Sequence, residues 1–351
     1  MSKTNPGNFF EDFKRGQNII HATPRTITHG DVALYIALTG SRFALASSDS
    51  FAGSVGLSQA PVDDFLVFHI VFGKTVPDIS LNAVANLGYA EARFLAPVFP
   101  GDTLVATSEV IGLKENRSGK TGIVYVRTTG MNQNGDIVLT YVRWVMVNKR
   151  DAASPAPDAH VPELAACVAA EELVVPPAMN FTHYDGVLAG SSYLWGDYKA
   201  GECIDHGDGM TVEEAEHALA TRAYQNTARV HFNQFTESKG RFGRRLIYGG
   251  HVISIARALS FNGLGNAQKI LALNGGAHVA PLFAGDTVFA WSQVLEVALL
   301  KGRTDVGALR LRLVATKDRP CADFPYRDAQ GAYDPSIILD LDYWVALPKE
   351  G

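Results

Sequence analysis

Cysteine is scarce in this chain, and the short motifs that mark many metal and nucleotide sites are missing. Among 351 residues there are three cysteines, Cys167, Cys203 and Cys321, with no CxxC spacing. An odd, widely spaced set argues against a disulfide framework and a cysteine zinc site, and it favours a reducing compartment. HExxH, P-loop and dinucleotide-binding GxGxxG motifs do not occur either. We therefore expect neither a metal nor a separate cofactor.

The chain also lacks an excess of positive charge and long apolar runs. It carries 31 Lys and Arg against 36 Asp and Glu, a formal net charge of −5, so nucleic acid and anionic membrane surfaces are poor partners. No stretch approaches 18 uninterrupted apolar residues, and the segment Met1–Gly7 lacks the apolar core of a signal peptide. We expect a cytoplasmic protein that does not span a membrane.

What the chain does contain is an internal repeat. Asp12–Gly16 recurs as Asp197–Gly201, 185 positions later (197 − 12), and Ala96–Thr103 recurs as Ala280–Thr287. Near the end of each copy a Trp-Val pair recurs as well. The length suits two domains. We predict a first repeat at 1–152, a linker at 153–190 and a second repeat at 191–351.

Each repeat has the same predicted order of elements. A first helix, at about 30–38 and 213–225, precedes a very apolar run, at 65–72 and 251–259, that suits a fully buried helix. Segments rich in β-branched residues follow. The chain therefore belongs to the α+β class. The pattern predicts a double hotdog, in which a long buried helix in each repeat is wrapped by an antiparallel sheet.

The segment 225–233 holds the strongest candidates for chemistry. Asn226 and His231 follow the first helix of the second repeat, where an amide and an imidazole can converge on one substrate or one water. Ser41 and Ala46 stand at the same places in the first repeat, at the offset of 185. Because the imidazole has become a methyl group in one copy only, a functional His231 is favoured over a structural one.

Gly249 and Gly250 open the apolar helix of the second repeat. The first turn of a helix has unpaired N–H groups and the positive end of the helix dipole, and glycine lets a carbonyl approach the backbone closely. A thioester carbonyl would be stabilised there as its charge develops. A plain tight turn is the alternative. The first repeat has Asp64 and Phe65 instead, which predicts a blocked site.

These residues resemble a known family. Asn226-x-x-Arg229-Val230-His231-Phe232, followed by Tyr248-Gly249-Gly250-His251, is similar to the MaoC-like hydratases (hydratase 2), and in particular to the mesaconyl-CoA (2-methylfumaryl-CoA) hydratases, over nearly the whole chain. The resemblance implies reversible hydration of a 2-enoyl-CoA, mesaconyl-CoA to β-methylmalyl-CoA, with coenzyme A as part of the substrate. It also implies that His231 transfers the proton and that the Gly250 N–H binds the oxyanion.

The sequence departs from the family motif at one chemically important position. The usual motif has Asp where this chain has Asn226, and Asn-Pro where it has Ala228-Arg229. An amide orients by hydrogen bonds and cannot share acid–base work as a carboxylate can. Two mechanisms are therefore compatible with the sequence. In one, His231 alone activates water and returns the proton to the α-carbon; in the other, a second acid or base takes part.

Further residues are predicted to bind substrate. Gly249 and His251 flank the proposed oxyanion site, and Arg229 or Arg222 could meet a free carboxylate through bidentate hydrogen bonds. Arg244 and Arg245 are further arginines near the motif. For His278 a role in the site and a role in packing are equally compatible with the sequence.

Three alternatives to mesaconyl-CoA hydration stay open. One is another (R)-specific enoyl-CoA hydratase. A second is a hotdog acyl-CoA thioesterase, for which Asp205 or Glu213 would have to supply the carboxylate. The third is a non-catalytic acyl-CoA-binding protein. Two hotdogs in one chain already satisfy the usual pairing, so a monomer and a homo-oligomer, such as a dimer of double hotdogs, are both compatible with the sequence.

Overall fold

The computed structural model describes residues 3–349. The first repeat begins with a strand, continues through three helices and ends in four long strands. Its elements are β1 (Asn18–Thr26), α1 (His29–Thr39), α2 (Asp49–Ser54), α3 (Asp64–Thr75), β2 (Ala83–Phe94), β3 (Thr103–Glu115), β4 (Thr121–Met131) and β5 (Ile137–Asn148).

The second repeat follows the same order with more helical turns between its first strands and its buried helix. Its elements are α4 (Gly186–Ala189), β6 (Cys203–Asp205), β7 (Met210–Thr211), α5 (Glu214–Ala223), α6 (Arg229–Phe232), α7 (Gln234–Glu237), α8 (Gly249–Leu259), α9 (Phe261–Leu264), β8 (Lys269–His278), β9 (Thr287–Leu299), β10 (Val306–Lys317) and β11 (Ile337–Pro348). Between β5 and α4 the backbone is irregular apart from the 3₁₀ turn Ala170–Glu172.

One antiparallel sheet joins the two repeats. Within residues 3–349 its eleven strands run in the order β1-β3-β4-β5-β2-β8-β11-β10-β9-β6, with β7 also paired to β9. The two halves of this order correspond strand for strand, and β2 meets β8 at the centre, where Ala90 pairs with Gly275 and Ala92 with Leu273. The α+β double hotdog expected from the sequence is confirmed. The predicted domain limits stay a prediction.

The two apolar helices are buried in the concave face of the sheet. All of α3 from Phe65 to Thr75 is buried, and so is α8 from Gly250 to Ala258. Both belong to one continuous hydrophobic core that also takes in side chains of the flanking strands. A helix that is apolar on every side can only be stable in such a place. Among residues 3–349 no helix has the length and apolarity needed to cross a membrane.

The first helices of the two repeats start differently. Thr28 and Asp31 form a capping box at α1, where the Thr28 hydroxyl accepts from the Asp31 N–H and the Asp31 carboxylate accepts from the Thr28 N–H. The Thr-x-x-Glu sequence at Thr211 predicts the same for α5, and this prediction is wrong. Thr211 pairs with β9, and its hydroxyl bonds to that of Thr287 at 2.8 Å. Helix α5 begins at Glu214 without a side-chain cap.

Gly73 in α3 brings the repeats into close contact. A Cβ atom at this position would lie 1.8 Å from the carbonyl oxygen of Tyr224, at the end of α5. Only glycine allows the backbones to approach so closely. The chain then turns through Gln225, whose φ is 54°, and this turn delivers Asn226 toward the end of α3.

Candidate active site

A cavity of about 910 Å³ lies between the opening turn of α8 and the end of α3. Its volume is within the range of small-molecule sites. The second repeat contributes polar residues of the predicted motif, and the first repeat contributes residues from α3, β2 and β5. Four of the predicted site residues border it, namely Asn226, Arg229, His231 and Gly249. The two repeats therefore build one cavity together.

His231 lies in the one-turn helix α6 with its imidazole oriented by the backbone. Its Nδ1 is 3.0 Å from the carbonyl oxygen of Leu246. Since a carbonyl can only accept, Nδ1 carries the proton, and the Nε2 lone pair has no partner among residues 3–349. Burial lowers the pKa of His231 to about 4. The ring is therefore neutral near pH 7, the form that a general base needs.

Asn226 is held just as firmly. Its side chain is 1 % exposed, and its Oδ1 accepts from the N–H of Ala228 at 3.1 Å. This bond fixes the orientation of the amide, because a backbone N–H requires an acceptor. The Nδ2 group has no hydrogen-bond partner within 3–349 and belongs to a residue that borders the cavity. Asn226 can thus donate a hydrogen bond to a water or a substrate.

The opening turn of α8 has two free backbone donors. The N–H of Tyr248 donates to Nε2 of His217 at 2.9 Å, and that of His251 donates to the Tyr248 carbonyl at 2.9 Å. The N–H groups of Gly249 and Gly250 have no acceptor in the described part of the chain. Gly249 borders the cavity. Gly250 is buried, and a Cβ atom there would lie 2.5 Å from the ring of Tyr248.

His278, at the end of β8, is brought to the same place. A Cβ atom on Gly249 would lie 2.4 Å from Cε1 of its ring, so the glycine makes room for this imidazole. Its Nε2 is 3.3 Å from the hydroxyl of Tyr89. Burial, and then the nearby His231, lower the pKa of His278 to about 4. The sequence left its role open, and the structure places it in the cavity wall.

Two predicted binding residues lie away from the cavity. Arg222 is exposed on α5 and is not part of the cavity wall. His251 is buried inside α8, and neither ring nitrogen has a partner within the described residues. Of the other arginines considered, Arg245 pairs with Glu214, and Arg244 stacks over an aromatic ring at 4.0 Å. The structure therefore brings only Arg229 of this group to the cavity.

The corresponding corner of the first repeat is filled. A cavity of about 20 Å³ remains there, bordered by Ala46 and Asp64, which match His231 and Gly249. The Asp64 carboxylate accepts from the N–H of Ile270 at 3.0 Å and pairs with Lys269. The prediction that Asp64 and Phe65 would block this corner agrees with that arrangement. Within residues 3–349 no cluster of His, Cys, Asp or Glu is placed to hold a metal ion.

Comparison with solved structures defines the class of protein. A Mycobacterium tuberculosis protein described as having a double hotdog fold superimposes with a TM-score of 0.74 at 24% sequence identity, covering 97% of this chain and 98% of its own. A structure from Chloroflexus aurantiacus, described as a putative MaoC domain protein dehydratase, has a TM-score of 0.97 at 64% identity and covers 100% of both chains. The chain is a MaoC-like double hotdog protein.

Sequence comparison narrows this class to a family. The family model described as mesaconyl-CoA hydratase matches residues 2–324. Two curated relatives are a β-methylmalyl-CoA dehydratase from Chloroflexus aurantiacus, 64% identical over 350 residues, covering 100% of this chain and 99% of its own, and a mesaconyl-CoA hydratase from Cereibacter sphaeroides, 62% identical over 347 residues, covering 99% and 100%. The chain belongs to the mesaconyl-CoA hydratase family, and the resemblance seen in its sequence is confirmed.

Proposed function

We propose that this chain catalyses the reversible addition of water to mesaconyl-CoA, giving β-methylmalyl-CoA. The observation that carries the proposal is the free Nε2 of a neutral His231 in the wall of a cavity that Gly249, at the opening turn of α8, also borders. The names of the two close relatives, one for each direction of this reaction, support the choice of substrate. Family membership favours a hydro-lyase over the thioesterase and binding-protein alternatives.

In the forward direction His231 acts first as a base. Its Nε2 takes one proton from water while the water oxygen bonds to the β-carbon, and the π electrons of the double bond shift toward the thioester carbonyl. The enolate oxygen receives a hydrogen bond from the opening turn of α8, a type of interaction worth about 3–4 kcal/mol per donor. In the one-base mechanism the protonated His231 then returns its proton to the α-carbon, which restores the neutral imidazole and the thioester carbonyl, and dehydration reverses these steps.

Two adjacent backbone groups, the N–H groups of Gly249 and Gly250, are the candidate donors to the oxyanion. The sequence favours the Gly250 N–H, whereas Gly249 is the residue that borders the cavity. Both N–H groups lie in the first turn of α8 and both lack an acceptor among residues 3–349. We propose that the thioester carbonyl is bound at this turn, with Asn226 donating to the attacking water through its free Nδ2.

His278 gives the site a second imidazole. The family motif has an aspartate where Asn226 stands, and an amide cannot take up or release a proton in this reaction. The ring of His278 lies against Gly249. Burial, and then the nearby His231, lower the pKa of His278. Its position suits a partner that helps to move the proton to or from the α-carbon. This role supplements the one-base mechanism and is not required by it.

The charged part of coenzyme A has a place at the open side of the cavity. Arg229 and Arg241 border the cavity and are exposed to solvent. Cationic side chains of this kind bind phosphate groups through charge-assisted hydrogen bonds. We propose that the phosphates lie near them while the acyl group enters toward Gly249. Coenzyme A is then a part of the substrate.

The test is to add mesaconyl-CoA to the purified protein and follow the enoyl-thioester absorbance together with free thiol. Hydration predicts a loss of absorbance that stops at equilibrium, with β-methylmalyl-CoA formed and no thiol released. Release of thiol would identify a thioesterase. Absorbance that stays constant, with the substrate still bound, would identify a binding protein. Equal rates on crotonyl-CoA and mesaconyl-CoA would point to a general enoyl-CoA hydratase.

A further inference from the structure

Arg143 is a buried cation at the wall of the cavity. It lies in β5 of the first repeat, its side chain is 0% exposed, and it borders the cavity beside Phe72 and Tyr89. Tyr89 is its neighbour across the strands, since the two residues pair directly in the β2–β5 ladder. The guanidinium carbon lies 4.1 Å from the centroid of the Phe72 ring.

The hydrogen-bonding capacity of this arginine is mostly unused. Its Nη2 donates to the hydroxyl of Thr75 at 2.7 Å and lies 3.5 Å from that of Ser80. Nε and Nη1 are buried and have no partner within residues 3–349. No carboxylate in that range pairs with Arg143. A buried charge without a counter-ion is costly to a fold, so an anionic ligand would relieve a cost that the free protein carries.

The filled corner, at the opening turn of α3, contains a second buried arginine. There Arg257 donates to the hydroxyl of Ser260 at 3.0 Å and to the carbonyl of Ala267. Burial lowers the pKa of Arg257, while Tyr343, Asp63, Tyr35 and Asp64, in this order, favour its charged form. By contrast, the neighbours that favour the charge on Arg143 are tyrosines, the residues Tyr141, Tyr89 and Tyr248. Two carboxyl groups thus favour the charge on Arg257, and none is among the described neighbours that favour the charge on Arg143.

The surroundings of Arg143 connect it to the reacting groups. Tyr248, whose ring centroid is 5.4 Å from that of His231, also lies 5.8 Å from that of Phe72, the ring under Arg143. On the other side, Tyr89 contacts His278. The hydroxyl of Tyr248 and both polar atoms of the Asn86 side chain, which border the cavity, are likewise buried without partners in the described chain.

The proposed substrate carries the anion that this place lacks. In mesaconyl-CoA the free carboxylate is attached to the β-carbon, the atom that receives the water oxygen. A group that binds this carboxylate must therefore lie near His231. A chain of ring contacts, from His231 through Tyr248 to Phe72, leads to Arg143. The exposed Arg229 and Arg241 lie in a wall that is open to solvent and suit phosphates instead.

We propose that Arg143 binds the free carboxylate of the acyl group through its unpartnered Nη1 group, and so makes the enzyme selective for a thioester that carries this second carboxylate. This assignment rests on the proposed substrate. It gives the first repeat a specificity-determining side chain, while the second repeat supplies the reacting groups. A guanidinium donates directional, charge-assisted hydrogen bonds to a carboxylate, whereas a lysine ammonium keeps the charge without this planar array of donors.

The experiment compares two saturated thioesters that cannot be hydrated: methylsuccinyl-CoA, which has the carboxylate, and 2-methylbutyryl-CoA, which has a methyl group in its place. Their dissociation constants are measured by calorimetry with the wild-type protein, R143M and R143K. We expect the wild type to prefer methylsuccinyl-CoA, and R143M to lose about tenfold to a hundredfold of this preference while it retains affinity for 2-methylbutyryl-CoA. R143K should lose part of it.

Matched variants separate a binding role from a structural one. R229M changes an exposed arginine of the same cavity and should weaken both thioesters alike. An unchanged preference in R143M, an equal loss for both thioesters, or a loss of preference in R229M instead would overturn the assignment. If R143M does not fold, R143K decides in the same way. Because binding is measured, the result holds even if the wild type turns out not to hydrate mesaconyl-CoA.

Discussion

The opening turns of the two buried helices, α3 and α8, stand at equivalent positions of the repeat, but one is closed by protein and the other borders a large cavity. At one end, the opening turn of α8 meets a cavity of about 910 Å³ with His231 and Gly249 in its wall. At the other, the opening turn of α3 meets a cavity of about 20 Å³ with Ala46 and Asp64 at the matching positions. The polar groups at the opening of α8 include hydrogen-bond donors and a lone pair without partners in the described chain, whereas the carboxylate at the opening of α3 bonds to other residues of the protein.

The comparison teaches that the two ends serve different purposes. In the filled corner a carboxylate occupies the helix opening, which is where a helix dipole stabilises negative charge, and it binds Lys269 and a backbone N–H. In the open corner Gly249 stands at the matching position, where the His278 ring packs against it and no carboxylate of the described residues occupies the helix opening. The first repeat thus stabilises the fold through the contacts at the start of α3, and its side chains also form part of the cavity wall beside α8.

The largest effect should come from making the open corner resemble the filled one. We expect His231→Ala to lower kcat for mesaconyl-CoA at least about a hundredfold, as loss of an acid–base group does, with the fold retained because Ala46 is tolerated at the matching position. Ala46→Ser should leave kcat unchanged. The measurement is the initial rate of absorbance loss, with circular dichroism as the check on folding. A rate within a few-fold of wild type would remove His231 from its role.

A smaller effect, on stability alone, should follow from disturbing the filled corner. Asp64→Asn removes the charge that pairs with Lys269, whose side chain is 4% exposed. We expect the free energy of unfolding to fall by about 2 kcal/mol, measured by urea denaturation, while kcat of the folded enzyme stays the same. The double variant with Lys269→Met should recover part of the loss. A large drop in kcat for Asp64→Asn would mean that the filled corner shares in the reaction.

The smallest effect separates the corners by pH. Four histidines of the second repeat lie in or behind the cavity wall: His231 and His278 border the cavity, and His217 and His251 do not. Burial lowers the pKa of each, to about 2 for His217 and about 4 for the others. The unfolded chain takes up these protons near pH 6.5, so stability is complete above that pH and is lost as pH falls toward 4. Each group changes the unfolding free energy by up to about 1.4 kcal/mol per pH unit.

Urea denaturation at several values between pH 7 and pH 5 measures this dependence. In His251→Leu the slope should decrease by the share of one histidine, since the two nitrogens of that ring make no hydrogen bond within the described residues. Equal slopes for this variant and the wild type would mean that the pKa of His251 is the same in the folded and the unfolded chain.

Much of the fold was accessible from the sequence. Repetition at an offset of 185 predicted two equivalent units, and apolar residues on every side of 65–72 and 251–259 predicted the buried helices. The contrast of His231 with Ala46 marked the chemically active copy. The start of α5 was predicted to within one residue. Its capping box was wrong because Thr211 bonds to a neighbouring strand, a tertiary contact that a local capping pattern does not contain.

The site was predicted less completely than the fold. Asn226, His231 and Gly249 stood out through local sequence, and all three border the cavity. Arg222 was considered because it is near the motif in sequence, yet it lies on the exposed side of α5. Arg143 attracted no attention, because it is one charged residue in an ordinary strand of the repeat that lacks the histidine.

The sequence by itself determined the duplicated α+β architecture, the burial of both long helices and the position of the imidazole, since each depends on hydrophobic periodicity or on comparing one copy with the other. Only the tertiary structure decided which corner is open, which backbone donors are free and which arginine lacks an acid. Whether a polar atom has a partner depends on residues far apart in the chain, such as Asp64 and Lys269, that meet only when the two repeats close one core.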